Sequence, residues 1–203
     1  PPPAPPPSPA PPRVLVIVHS DGTPIDDLLR RADAIPGGYD LLVTVRDSAA
    51  QAALTGDVAR QRPSGANVDV RIVPADASGE SAFLVGCRDL LLADEHDLVV
   101  RLRSFRADDS GASRHALDHG YDNLLLDGEY FSAVLSLFHD EPGLGLVYPP
   151  VLHIGHATLA KGWGTLLPTF TMVARRLGIT VPLDGVSPLA PLGGMFVARP
   201  AAL

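Results

Sequence analysis

The chain has 203 residues, of which 46% are hydrophobic and 19% are charged, and its formal net charge is −7. This length suits one α/β domain, and the hydrophobic content indicates a packed core and excludes a largely disordered chain. The acidic balance argues against a general nucleic-acid binder, because such proteins neutralise phosphates with many lysines and arginines.

The chain opens with the proline-rich stretch PPPAPPPSPAPP at 1–12. Such segments form extended, semi-rigid spacers that do not build a core. We therefore predict a linker over 1–12 that follows an upstream domain, with a proline-rich recognition tail as the alternative, and one α/β domain over 13–203. Because an apolar strand-like run is followed at once by the last residues, we also expect the domain to continue beyond Leu203.

Four apolar runs alternate with helical patterns in the first half of the chain. RVLVIVH (13–19) has the continuous β-branched character of a buried parallel strand. Early aspartates and late arginines over 24–35 suit a helix dipole, and Asp47-Ser48 can cap a helix that runs through Arg60. This order predicts an α/β fold with a mostly parallel sheet in a three-layer α/β/α arrangement. Strands are predicted at 13–19, 39–46, 68–74 and 97–103, and a third helix at roughly 80–93.

The second half of the chain changes character. Residues 104–115 are polar and contain glycine, which is typical of a mobile loop. GLGLVYPP (143–150) must end as a strand at its two prolines, because neither can donate a hydrogen bond to a sheet. Helices are predicted near 114–126, 129–140 and 168–177, and a last strand in GGMFVARP (193–200).

The single cysteine, Cys87, excludes an internal disulfide framework and a cysteine-based zinc site. No apolar run approaches the roughly 20 residues that span a bilayer. We therefore expect a cytoplasmic setting, at the inner face of the membrane only through other domains or partners.

Short polar clusters follow the apolar strands. In open parallel sheets, ligands bind beyond the carboxyl ends of the strands, near the point where strand order reverses. Each cluster also has a structural interpretation, since Ser20 and Asp47 are favoured helix caps and Asp76 suits a turn. The prediction of a site depends on the convergence of four clusters at one rim: His19-Ser20-Asp21, Arg46-Asp47, Pro74-Ala75-Asp76 and Arg101 to Ser104.

Familiar signatures of other sites are missing from the sequence. No GxGxxG follows the first strand, and neither GxxxxGK[ST] nor GxSxG occurs, which disfavours dinucleotide, P-loop and hydrolase sites. His153 and His156 form an i,i+3 pair, and Asp108-Asp109 an acidic doublet, but ordinary hydrogen bonds and a solvated turn explain them as well. Trp163 lies between two glycines, which fits either a sugar-stacking platform or a core tryptophan.

Three segments of the second half carry a resemblance to a known family. They read DNLLLDGEYFSAVLSLFHDEPGLGLVYPPVL at 122–152, KGWG at 161–164 and PLGGMFVARPAAL at 191–203. In form and order they resemble the rhamnan synthesis protein F family, and the order of the upstream strands also fits. The resemblance covers nearly everything from 13 to 203, and its first and last segments are the more specific ones.

The resemblance implies a glycosyltransferase with a GT-A-like fold of the nucleotide-diphospho-sugar transferase type. Its donor would be dTDP-rhamnose or a UDP-sugar, its acceptor a cell-surface polysaccharide or a lipid-linked glycan, and its partners other domains of a longer chain. Metal dependence is left open, because no Asp-x-Asp ends the fourth strand; the cation of such an enzyme would be Mg or Mn.

The strand-end clusters and the resemblance together predict the residues of the site. The arginines would meet the diphosphate, and glycines would let the backbone pass close to the sugar. Residues expected to bind the nucleotide-sugar are His19, Ser20, Asp21, Asp47, Arg101 and Arg103; the candidate catalytic bases are Asp76 and Glu80; and the acceptor side would hold His153, His156, Trp163, Gly193 and Gly194.

Three positions depart from the family's pattern. Residues 77–82 read ASGESA where relatives carry an Arg-Asp-Ile-Gly-Pro-like stretch, Arg103 stands at a histidine position, and Val197 at a tryptophan position. The alternative is therefore a catalytically inert glycosyltransferase-like domain that scaffolds or binds carbohydrate in a multidomain protein.

Overall fold

The computed structural model describes residues 11–21, 23, 25–61, 67–74, 76–77, 79–104, 110–150, 163, 165–185, 190–191 and 193–203. These residues form an α/β fold, as the sequence predicts. The elements of the first half are β1 (Val14–His19), α1 (Asp26–Ala32), β2 (Asp40–Val45), α2 (Ser48–Gln61), β3 (Val68–Ile72), α3 (Gly79–Gly86), α4 (Arg88–Leu92) and β4 (Leu98–Arg103). Those of the second half are α5 (Gly111–Asp122), α6 (Gly128–Asp140), β5 (Leu146–Val147), α7 (Leu167–Arg176), β6 (Phe196–Ala198) and a short 3-10 turn, Pro200–Ala202.

One predicted helix and one predicted loop differ from the structure. The helix expected over 80–93 is interrupted at the fully buried Cys87, whose backbone (φ −116°, ψ 4°) leaves the helical region and separates α3 from α4. The mobile loop expected over 104–115 is wrong at its end, because α5 already begins at Gly111. Ser110 caps that helix by accepting a hydrogen bond from the Ser113 N–H at 3.2 Å, a role that suits a serine at this position.

In the part of the chain that the structure describes, the sheet is mixed and has six strands in the order β3-β2-β1-β4-β6-β5. β1 pairs in parallel with β2 and β4, and β2 in parallel with β3, whereas β6 runs antiparallel between β4 and β5. The chain moves outward from β1 to β3 and then returns to place β4 on the other side of β1. Strand order therefore reverses between β1 and β4, and this is where an open α/β sheet binds its ligands.

Alternate side chains of β1 enter two different apolar clusters, one on each face of the sheet. Val14, Val16 and Val18 join residues of α1, α2, α5 and α6, including the fully buried Tyr121 and Phe131. On the opposite face, Leu15 and Ile17 pack with Phe83, Cys87, Val99 and Phe196. None of the described helices has both the length and the apolar character needed to cross a bilayer.

The packing of α3 on the sheet can be tested at Gly86, and Gly56 in α2 provides the control. A Cβ at Gly86 would come within 2.7 Å of Val73 Cγ1, whereas one at Gly56 in α2 would meet only the flexible Arg60 guanidinium at 3.6 Å. We expect G86A to lower the free energy of unfolding by about 1–3 kcal/mol through overpacking. G56A should raise it by about 0.5–1 kcal/mol, because alanine is the better helix former. Urea unfolding measures both changes, and a stabilising G86A would show that α3 moves away from Val73 at little cost.

Candidate functional site

A cavity of about 460 Å³ lies at the carboxyl ends of β1 and β4, where strand order reverses. Its walls come from the ends of β1, β2 and β4, the first turn of α3 and the turn that precedes β6. The structure thus brings together residues that are far apart in the sequence. Those predicted from the sequence are His19, Asp21, Glu80, Arg101, Arg103, Gly193 and Gly194.

Arg101 is the most enclosed charge of the cavity, with only 14% of its side chain exposed. Its guanidinium carbon lies 4.9 Å from the ring centre of Phe83 and 5.9 Å from that of Phe196. Aromatic faces attract a cation at such distances, so the two rings hold the guanidinium in place. On another side, Nη2 donates a hydrogen bond to Glu80 Oε1 at 3.3 Å.

Asp21 joins the ends of β1 and β2. Arg46 Nη2 lies 2.9 Å from Asp21 Oδ1, and His19 Nε2 lies 3.5 Å from the same oxygen. His19 Nδ1 is 3.0 Å from the Thr44 hydroxyl, which fixes the ring against β2. His19 Nε2 is buried and makes no hydrogen bond among the described residues. This edge of the cavity therefore holds an ion pair beside a partly desolvated imidazole.

Burial lowers the pKa of the His19 imidazole below the ordinary histidine value of 6.5. Nearby Arg46 and Arg101 lower this pKa further, whereas Asp21 raises it. The imidazole is therefore held in its neutral form more strongly in the folded chain than in the unfolded one.

This shift predicts a stability that depends on pH. Between the lowered pKa and pH 6.5 the unfolded chain binds more protons at His19, so the free energy of unfolding falls as the pH drops through that window. We expect H19Q to lose less stability than the wild type between about pH 7 and pH 5, as measured by urea unfolding. H139Q, at an exposed position of α6, controls for the loss of one histidine. Parallel curves for H19Q and the wild type would contradict the expectation.

Three of the predicted site residues have structural roles at the strand ends. Ser20 is fully buried, and its hydroxyl donates to the Thr23 carbonyl at 3.1 Å. Asp47 Oδ1 accepts from the Ala50 N–H at 2.8 Å and so caps α2. Asp76 lies in the turn closed by the hydrogen bond from the Ala77 N–H to the Pro74 carbonyl at 2.8 Å. None of the three lines the cavity.

Substitutions of Asp47 can separate its two interpretations, a helix cap and a nucleotide contact. D47A should lower the free energy of unfolding by about 1 kcal/mol, the usual loss for a removed helix cap, while D47S keeps a cap and should keep most of the stability. Because Asp47 lies outside the cavity lining, both variants should bind UDP as the wild type does in calorimetric titration. A weaker affinity in a stable D47S protein would instead support direct nucleotide binding by Asp47.

The residues expected on the acceptor side divide into three groups. Gly193 and Gly194 have φ angles of +87° and +72°, which favour glycine, and a Cβ at Gly194 would lie 3.6 Å from both the Arg101 guanidinium carbon and Glu80 Oε1. Trp163 is 9% exposed, donates its indole N–H to the Asp184 carbonyl at 2.6 Å, and is not part of the cavity lining. His153 and His156 lie outside the described residues.

The comparison with known families decides the affiliation of the chain. The family model described as rhamnan synthesis protein F matches residues 11–203. The chain belongs to the rhamnan synthesis protein F family. No curated protein sequence matches it. The family match includes every described strand of the sheet and every described lining residue of the cavity, and the resemblance seen in the sequence is confirmed.

The cavity of this rhamnan synthesis protein F chain suits an anion. Among its described lining residues, Arg46, Arg101 and Arg103 outnumber the two carboxylates, Asp21 and Glu80. This excess of positive charge attracts an anion. Among the residues that the structure describes, no group of three His, Cys, Asp or Glu side chains converges to hold a metal ion.

Some residues that line or support the cavity of this family member could not be assigned from its sequence. Arg46 belongs to a predicted strand-end cluster, but only the structure shows that it pairs with Asp21 in the cavity. The contacts of Arg101 with two aromatic rings cannot be predicted from residue spacing, because Phe83 comes from α3 and Phe196 from β6. The register that sets Arg101 opposite Phe196 follows from strand pairing, which sequence patterns do not specify.

Proposed function

We propose that this chain is a glycosyltransferase domain that binds a nucleotide-activated sugar, rhamnose in particular, and transfers it to a polysaccharide or lipid-linked glycan acceptor. The observation that carries the proposal is the arginine-lined cavity at the strand-order reversal between β1 and β4. Membership of the rhamnan synthesis protein F family supports a role in rhamnan synthesis. The mixed sheet, with apolar clusters on both faces, is consistent with a three-layer, GT-A-like fold.

Such an enzyme must stabilise the diphosphate that leaves the sugar. In the proposed arrangement Arg101 and Arg103 meet the diphosphate oxygens, because guanidinium groups form paired, charge-assisted hydrogen bonds with phosphate. Fixed donors in a partly buried cavity stabilise developing negative charge with little reorganisation. The absence of a side chain at Gly194 leaves room for the sugar beside Arg101.

One observation favours the alternative, a domain that binds the donor without transferring the sugar. The two carboxylates among the described lining residues, Asp21 and Glu80, both pair with arginines, and Asp76 lies outside the lining. A general base must instead be able to accept a proton from the acceptor hydroxyl. Release of the nucleoside diphosphate from the donor by the longer natural protein, lost in the R101A/R103A double variant, would decide for transfer.

Both candidate functions require the chain to bind the nucleotide-sugar donor, and calorimetric titration of the folded chain tests this binding. The ligands are dTDP-rhamnose, UDP-glucose, UDP and uridine, the last of which lacks phosphate. We expect the first three to bind, and uridine to bind at least tenfold more weakly than UDP, since the arginines have no charge to contact. Absence of binding by all nucleotide ligands at millimolar concentration, with circular dichroism showing an intact fold, would overturn the proposal.

A further inference from the structure

The ion pair between Arg101 and Glu80 joins a mostly enclosed side chain to a mostly exposed one. Only 14% of the Arg101 side chain is exposed, whereas 71% of the Glu80 side chain is. A single hydrogen bond of 3.3 Å connects them. Because Glu80 is largely exposed to water, its ion pair with Arg101 contributes little stability, and Glu80 can leave the pair at small cost while Arg101 stays in place.

The Arg101 guanidinium is packed by other groups and also lines the cavity. Phe83 and Phe196 pack against it, and a Cβ at Gly79 would lie 3.4 Å from Nη2. Backbone at Gly194 approaches from the turn before β6, where a Cβ would lie 3.6 Å from the guanidinium carbon. Glu80 meets the guanidinium within the cavity lining, so an anion that binds Arg101 there competes with this carboxylate.

We propose that Glu80 is an internal counter-ion, which the phosphate groups of a nucleoside diphosphate displace from Arg101. The identity of this ligand rests on the proposed function, but the exchange itself rests on the geometry of the pair. A diphosphate brings more charge than a carboxylate and can engage two N–H groups of the arginine fork at once. A ligand with one negative charge gains nothing over Glu80, so the exchange selects ligands that carry several charges.

The substitution E80Q tests this exchange, with UDP and inorganic pyrophosphate as the calorimetric probes. Glutamine has nearly the shape of glutamate but no charge to compete with phosphate. We expect E80Q to bind both probes about fivefold more tightly, an estimate that discounts the repulsion for the exposure of Glu80. The matched control is E129Q: Glu129 also lies in the first turn of a helix, α6, and is outside the cavity lining. E129Q should bind both probes as the wild type does.

A double variant shows whether the effect passes through Arg101. In the R101Q background, E80Q should no longer improve the affinity for UDP, because the exchange requires the guanidinium. If the wild type binds UDP and E80Q binds it equally or more weakly, the exchange is overturned while the proposed function stands. If no variant binds UDP or pyrophosphate at millimolar concentration, both fall. If E80Q binds UDP and pyrophosphate but the wild type does not, Glu80 blocks the ligand and is not displaced by it, and the exchange is overturned.

Discussion

Replacement of Arg101 by glutamine is expected to weaken the binding of UDP by about 30-fold or more. Arg101 is the least exposed arginine among the ion pairs of the described residues, and the loss of a partly buried guanidinium that binds phosphate should cost about 2 kcal/mol of affinity or more. The folded state should survive, because glutamine keeps part of the stem beside the two rings and Glu80 is exposed enough to be solvated. Calorimetric titration with UDP, next to thermal unfolding of the same samples, measures both quantities.

Two further substitutions define what Arg101 contributes. R101K keeps the charge but loses the planar fork and its stacking on Phe83, so an intermediate loss of about tenfold is expected. R60Q removes an exposed arginine on α2, remote from the cavity lining, and should leave the affinity unchanged. A UDP affinity for R101Q within threefold of the wild type would contradict the assignment of Arg101 as the phosphate contact.

The strands of the first half could be predicted from the sequence because their signal is local. A continuous apolar run such as Val14–Val18 needs burial on both faces, and the structure provides it. The break at Cys87 was missed, because it arises from packing: Cys87 is fully buried in the cluster that holds Phe83, and Gly86 faces Val73. Such contacts between distant segments leave no periodicity to detect.

The candidate site could be predicted in outline by the rule that ligands bind at the carboxyl ends of parallel strands. Three of the residues that this rule selects, His19, Asp21 and Arg101, line one cavity in the structure. It could not tell which polar residue at a strand end points into the cavity and which one caps the next helix, as Asp47 does. Both roles use the same residue types at the same positions, and the choice depends on side-chain directions that only the folded structure shows.

Loss of the Phe196 ring is expected to have the largest effect on stability among the substitutions considered. Phe196 is 4% exposed and meets Phe83 edge to face, with ring centres 5.6 Å apart. F196A should therefore lower the free energy of unfolding by about 3–5 kcal/mol, the usual cost of a buried phenylalanine truncation. F196L keeps most of the apolar volume and should cost less than about 1.5 kcal/mol. Urea unfolding of the three proteins gives both values.

The milder variant separates packing from the placement of Arg101. F196L removes one of the two rings that hold the guanidinium, so its affinity for UDP should fall about threefold, in line with the modest strength of a single cation–π contact. The matched control is F138L, since Phe138 is also 4% exposed and carries Arg199 at 5.5 Å from its ring, but lines a different cavity. F138L should cost similar stability and leave the UDP affinity unchanged. If F196L and F138L bind UDP with equal affinity, Phe83 alone holds Arg101 in place. A loss of UDP affinity in F196L but not in F138L would show that β6 positions Arg101, although β6 itself contributes no charge to the cavity.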